Sequence, residues 1–194
     1  MAHRGVGVGL ATEGDLLQIQ RIFEHWVLKT SVSCLIQKPP FSLVEYRYKE
    51  CVDRKLPYMV ACDLNNHDHV VGYAYASPFR GSSMGYGHTV EISLYVHPQH
   101  TNNGIGSRLI ERLLDALRFT RHIAWELGHE LNAKVYPVRK VMAIMAVDET
   151  VPNQGIPLRN WYQKRGFEEV GRLKGVAFKR GRMLDTIYLE FHLS

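Results

Sequence analysis

Between Glu91 and Ser107 the chain brings together a carboxylate inside an apolar strand and two glycines at the mouth of a helix. The run Thr89-Val90-Glu91-Ile92-Ser93-Leu94-Tyr95-Val96 is β-branched and aromatic and reads as a strand. Gly104 and Gly106 then open a helix whose apolar positions, Ile105, Leu109, Ile110, Leu113, Leu114 and Leu117, fall on one face. A helix start built from small residues exposes backbone N–H groups that no upstream carbonyl satisfies, and the macrodipole adds partial positive charge. That end suits an anionic phosphate, although sugar-phosphate sites and plain tight turns use the same Gly-x-Gly. A carboxylate among apolar neighbours is costly to bury, and desolvation raises its pKa toward the range useful to a general base. Glu91 is therefore the candidate base, against a solvent-facing position or pairing with Arg80. His88 competes for that role as the residue type most used in proton transfer, with packing at the strand edge as its alternative.

The elements that must position these residues follow from periodicity and punctuation. Val6–Leu10 reads as a strand, and Thr12 with Asp15 caps a helix running to about Lys29, with Leu16, Ile19, Ile22, Phe23, Trp26 and Val27 inward. Ser42-Leu43-Val44-Glu45 reads as a capping box that starts a second helix of about a dozen residues. Tyr58–Asp63 and His69–Ser77 are strands joined by the polar turn Leu64-Asn65-Asn66-His67-Asp68, and Thr89–Val96 adds a third antiparallel strand. The stretch Phe119–Val135 is longer than a compact connection needs and is expected to be a helical extension ending near Pro137. Val138–Val147 is expected as a buried strand, Pro157–Arg165 as a helix, and Phe167–Ala177 with Met183–Leu193 as closing strands. The order β-α-α-β-β-β-α-β-α-β-β predicts an α/β sandwich around a mixed sheet.

At 194 residues and 45% hydrophobic content the chain supports one well-buried core, and residues 1–194 are expected to form a single domain. Twenty-four Lys and Arg against 19 Asp and Glu give a net charge of +5, which suits an anionic, nucleotide-like ligand. The basic residues are scattered rather than clustered, so nucleic acid is not expected as a partner. Three cysteines, Cys34, Cys51 and Cys62, form no C-x-x-C pair, which argues against a disulfide framework and against a metal site. No apolar run approaches the length of a membrane span, and the start MAHRGVGVGL lacks a signal-peptide core; a cytoplasmic location, with a nuclear pool open, is the expectation.

The spacing Thr101-Asn102-Asn103-Gly104-Ile105-Gly106 resembles the pyrophosphate loop of the GNAT acyltransferases, (Gln/Arg)-x-x-Gly-x-(Gly/Ala), with Thr101 where Gln or Arg is usual. The element order is similar to the GNAT fold, a mixed, mostly antiparallel α/β sheet flanked by helices on both faces. Gly72-Tyr73-Ala74-Tyr75-Ala76-Ser77-Pro78-Phe79-Arg80, followed by the strand around Glu91, resembles the phosphinothricin N-acetyltransferase branch. Phe178-Lys179-Arg180-Gly181-Arg182-Met183-Leu184-Asp185 is similar to that branch's F-K-x-G-x-W-x-D. The resemblance implies an acetyl-CoA dependent N-acetyltransferase acting on the primary amine of a small amino-acid-like compound. Phosphinothricin, methionine sulfoximine and natural amino acids are the implied acceptors, and a homodimer is the implied assembly. A CoA-binding regulatory module without turnover, and a lysine or N-terminal protein acetyltransferase, stay open as alternatives.

Carried onto this chain, the resemblance implies Glu91 as base and Tyr162, four residues before Gly166-Phe167, as proton donor to the departing thiolate. A bulge in the strand after the base would set Leu94, Tyr95 and Val96 beside the pantetheine arm. Asn102, Asn103, Gly104, Ile105, Gly106 and Ser107 would hold the pyrophosphate, and Asn153 the cofactor arm. Arg80, Tyr75 and Tyr86 are the implied acceptor-site residues, with strand packing as the alternative for the tyrosines. The branch's second arginine after Arg80 is replaced by Gly81-Ser82-Ser83-Met84-Gly85, leaving Arg80 alone to meet a substrate carboxylate or phosphinate.

Overall fold

The computed structural model describes residues 5–64, 66–148 and 155–193. Strand β1 (Val6–Leu10) leads into a short 3-10 turn and helix α1 (Leu16–Lys29), where the Asp15 carboxylate accepts from the Thr12 backbone N–H at 2.7 Å and its hydroxyl at 2.9 Å. Helix α2 (Phe41–Asp53) and strands β2 (Tyr58–Asp63), β3 (Asn66–Pro78) and β4 (Thr89–Val96) follow. Helix α3 (Ile105–Phe119), strands β5 (Arg121–Ala124), β6 (Lys134–Pro137) and β7 (Lys140–Val147), helix α4 (Ile156–Gln163), and strands β8 (Glu168–Lys179) and β9 (Arg182–His192) complete the chain.

Seven strands form one sheet in the order β1-β2-β3-β4-β7-β9-β8, antiparallel throughout except where β4 runs parallel to β7. The pleat sends alternate side chains to opposite faces. On β3, a Cβ at Gly72 would meet Leu109 and Ile105 of α3, which places α3 on that face. On the other face Tyr95 meets Phe23 of α1 edge-on, with ring centroids 5.4 Å apart. All six apolar positions expected of α3 are buried, each contributing about 1.5–3 kcal/mol in transfer free energy. The β8–β9 turn reaches back to α1: buried Lys179 donates from Nζ to the Val27 carbonyl at 2.7 Å, in the last turn of the helix, and to the Ser33 carbonyl at 2.5 Å just beyond it.

Two local expectations are corrected. Ser42 does not cap α2; the helix begins at Phe41 behind Pro40, whose φ of −67° already suits a helix entry. The stretch 120–137 is not a helical extension; its helical content is a single 3-10 turn, Glu130–Asn132. Helix α3 stops at Phe119, and β5 pairs with β6 as a separate antiparallel ribbon, Arg121 opposite Pro137 through Ala124 opposite Lys134. Burial alternates along β5, with His122 and Ala124 inward, which is strand rather than helix periodicity. The ribbon packs against the α2 end, where Ile123 N–H donates to the Arg54 carbonyl and the buried Arg54 guanidinium stacks 3.7 Å from the Trp125 ring centroid. Among the described residues no helix is long and apolar enough to cross a membrane.

Candidate active site

The parallel pairing of β4 with β7 runs only from Thr89–Lys140 to Ile92–Ala143, although β4 continues to Val96 and β7 to Val147. Beyond Ile92 the two strands part, and a cleft of about 390 Å³ opens between them. Its walls include Leu94, Tyr95 and Val96 of β4, Ile144 and Met145 of β7, Trp26 and Val32 from the α1 side, and Leu158, Trp161 and Tyr162 of α4. The β3–β4 register is unbroken through this region, so the opening comes from the parting of β4 and β7 and not from the expected bulge.

The antiparallel ladder decides which backbone groups of β4 face the opening. His97 N–H donates to Val71 O and Phe79 N–H to Thr89 O, so the odd-numbered residues of β4 bond to β3. The backbone groups of Leu94 and Val96 are thereby directed to the side where β7 has departed. Tyr95 spends its backbone on β3 and enters the cleft wall through its side chain.

At the other end, the cleft is floored by Thr101, Asn102, Gly104, Ile105, Gly106 and Ser107. Asn102 (φ 62°) and Gly104 (φ 75°) are both left-handed, and Gly104 stands immediately before the first residue of α3. A Cβ at Gly104 would meet nothing, so it is the backbone conformation that favours glycine there. No acidic residue lies in the first turn of α3, leaving its positive end uncompensated. Arg165 completes this end: its guanidinium stacks 3.9 Å from the Trp161 ring centroid, donates to the Trp161 carbonyl at 2.8 Å and reaches the Ser107 hydroxyl. An apolar slot ending at a helix N-terminus, with a cation braced behind its lining, has the form that an acyl-pantetheine arm with a pyrophosphate requires. Asn103 is exposed and outside the cleft lining, and Asn153 falls outside the described residues.

Glu91 sits just before the fork, half-buried, opposite Ser77 on β3 and Met142 on β7. Burial raises its carboxyl above the ordinary carboxylate value, and the Arg47 charge partly offsets that. Glu91, Ser93 and Tyr95 share one face of β4 with Tyr75 and Tyr73 of β3, and the Tyr75 hydroxyl is hydrogen-bonded to Ser93. Tyr162 is buried in α4 between Trp161 and Phe167, with centroids 4.9 and 5.1 Å away; burial pushes its phenol up to about 12.

Glu91 and Tyr75 lie beside the cleft without lining it, and the remaining sequence candidates lie further away. Arg80 is exposed in a left-handed turn after β3, and Tyr86 is exposed with its ring edge-on to Phe79. His88 is engaged elsewhere, its Nδ1–H donating to the Pro137 carbonyl at 2.9 Å. Trp26, Arg165 and Arg47 were not singled out for the site by sequence. Trp26 lay on the apolar stripe of α1, and the two arginines carried no signal of their own in the sequence. Only their contacts with residues distant in the chain reveal them.

Residues 20–138 match the acetyltransferase (GNAT) family. The chain is 27% identical over 191 residues to phosphinothricin N-acetyltransferase of Alcaligenes faecalis, covering 98% of this chain and 84% of that protein. It is 30% identical over 188 residues to L-amino acid N-acyltransferase MnaT of Escherichia coli (strain K12), covering 97% and 94%. The crystal structure of a phosphinothricin acetyltransferase from Sinorhizobium meliloti in complex with AcCoA is similar with a TM-score of 0.80 at 26% identity, covering 97% of this chain and 89% of that one.

Proposed function

The chain belongs to the acetyltransferase (GNAT) family and is an acetyl-CoA dependent N-acetyltransferase; we propose that its acceptor is the primary amine of a small amino-acid-like compound, of the phosphinothricin, methionine sulfoximine or free L-amino acid type. One observation carries this reading: Glu91, a half-buried carboxylate with a raised pKa, stands at the fork where β4 leaves β7. The acceptor amine then meets Glu91 at the fork, while the cofactor lies in the cleft.

Bound acetyl-CoA supplies a thioester carbonyl open to attack by an amine. Asn102, Gly104, Ile105, Gly106 and Ser107, with Arg165 behind them, would hold its pyrophosphate, and Ile144, Met145 and Leu158 would flank the pantetheine arm. An ammonium cannot attack, so Glu91 takes its proton directly or through one water. The backbone N–H groups of Leu94 and Val96, turned into the gap, stabilise negative charge developing on the thioester oxygen. Tyr162 stays protonated across the working pH range, with its phenol near 12. Against a thiol near about 8.5, full transfer from that phenol is uphill by about 5 kcal/mol. Tyr162 therefore serves the leaving sulfur as a hydrogen-bond donor. The same reading takes residues 1–194 as one catalytic unit, acting as a homodimer in the cytoplasm.

The test is release of free thiol from acetyl-CoA by purified protein, against phosphinothricin, methionine sulfoximine, methionine sulfone, L-amino acids, polyamines and a lysine-rich peptide. The reading expects turnover concentrated on the amino-acid-like acceptors. Turnover confined to polyamines or the peptide, or background release with every acceptor, overturns it.

A further inference from the structure

The face of the sheet that carries Glu91 is covered by α1 and α2, and α2 brings a cation to it. Glu91, Ser93 and Tyr95 alternate along β4, with Ser77, Tyr75 and Tyr73 beside them on β3. Phe23 of α1 closes over Tyr95, and the Arg47 guanidinium of α2 lies over Phe23, its Cζ 4.8 Å from the ring centroid. The charge of Arg47 is felt by Glu91, Tyr75 and Tyr95, in each case drawing the group toward ionisation. Arg47 is half-buried, and among the described residues it has neither a salt-bridge carboxylate nor a hydrogen-bond acceptor.

A guanidinium partly withdrawn from water without an anion keeps an unmet demand for one. Stacking on an aromatic ring satisfies its flat face and leaves the N–H edge free, and that edge is the fork that matches a carboxylate in a bidentate fashion. Arg80, which sequence reasoning gave this task, is exposed on its turn. An acceptor whose amine lies at Glu91 has its acidic group within the same walled face.

We propose that Arg47 binds the acid group of the acceptor, a carboxylate or an equivalent phosphinate, and so selects amino acids over amines that lack one. This rests on the amino-acid-like acceptor proposed above. Glu91 takes the ammonium end and Arg47 the anionic end, so one molecule must carry both charges to fill the site.

The experiment compares wild type, Arg47→Lys and Arg47→Gln on L-methionine sulfone and on its carboxamide, with the KM for acetyl-CoA as a check that the cofactor cleft is intact. Wild type is expected to prefer the acid. In Arg47→Gln the kcat/KM for the acid falls about 10- to 100-fold, mainly through KM, while the carboxamide falls far less, so the preference narrows. Arg47→Lys, which keeps the charge but not the fork, lies between. An acid-to-carboxamide preference that survives in Arg47→Gln, with turnover retained, overturns the assignment of Arg47 and leaves the acceptor class standing. If wild type acetylates neither compound, nor any other amino acid, the acceptor reading itself fails and this inference falls with it.

Discussion

The indole Nε1–H of Trp26 donates a 2.7 Å hydrogen bond to the carbonyl oxygen of Val96. Val96 lies past the point where β7 leaves β4, and its backbone is turned away from β3, so no neighbouring strand answers that carbonyl. Helix α1 supplies the missing partner with a side chain. The bond holds the free edge of β4 in place while leaving the cleft beside it open, because an indole is one donor and not a whole strand.

Trp26→Phe keeps the aromatic wall and removes the donor. The Val96 carbonyl is left short of a partner, at a cost of about 1–3 kcal/mol in stability. The KM for acetyl-CoA is expected to rise several-fold, with kcat changing less. Urea unfolding and initial-rate kinetics on the same preparation check both; unchanged stability and KM together would remove the bond from any role in shaping the cleft.

Lys179 ties the β8–β9 turn to Val27 and Ser33, on either side of Val32 in the cleft wall. Lys179→Met retains the buried stem and loses both charged hydrogen bonds. A loss of about 1.5–3 kcal/mol in unfolding free energy is expected. The KM for acetyl-CoA rises with it, since Val32 is released. Retained stability in urea would show that the two carbonyls find other partners.

The β5–β6 ribbon holds the loop before β4 through His122, whose buried Nε2–H donates to the Gly87 carbonyl at 2.6 Å. Gly87 has no room for a side chain, since a Cβ would come 2.7 Å from the Tyr136 ring. Burial lowers the His122 pKa, with the bond to Gly87 opposing. A lowered imidazole contributes stability that is complete above its unfolded value, about 6.5, and is lost as pH falls toward the folded value. His122→Ala is expected to cost about 1–3 kcal/mol at pH 7.5 and to flatten that part of the acid decline. Denaturant titrations at pH 7.5 and 5.5 measure both, and an undiminished acid decline in the variant would assign it to other groups.

Much of this architecture was legible because its signals are local. The α3 stripe, the Thr12–Asp15 cap and the lone carboxylate in β4 each depend on residues within a few positions of one another. The ribbon at 120–137 was hidden because its inward positions include His122, a polar residue that interrupts the apolar alternation of a strand. Ser42-x-x-Glu45 satisfied a capping pattern, yet Pro40 set the start of α2 earlier. The fork between β4 and β7 had no local mark at all, because it is set by where two distant strands stop pairing. Arg47 and Arg165 were equally silent, the first being defined by the Phe23 ring and the second by the Ser107 hydroxyl, both brought near by folding.

Glu91 also makes a prediction about stability. Its carboxyl is held above the ordinary value, chiefly by burial, so the fold binds that proton more tightly than the unfolded chain does. The stability it contributes is complete below the unfolded carboxylate pKa and is lost as pH rises through the folded one. At neutral pH its charge is therefore a cost, and Glu91→Gln is expected to melt at a higher temperature than wild type at pH 7, with the difference closing toward pH 4. A variant that melts lower at pH 7 would mean that the carboxylate is better paired than the geometry indicates.

The central claim is that Glu91 at the fork activates the acceptor amine while the parted strands hold the cofactor independently of it. Steady-state kinetics of Glu91→Gln against wild type, on the best acceptor found and with acetyl-CoA varied, tests it most directly. The account predicts a fall in kcat of about 10²-fold or more, loss of the acid limb from the pH profile, and a nearly unchanged KM for acetyl-CoA. Turnover close to that of wild type, with the acid limb retained, would contradict it and remove Glu91 from proton transfer.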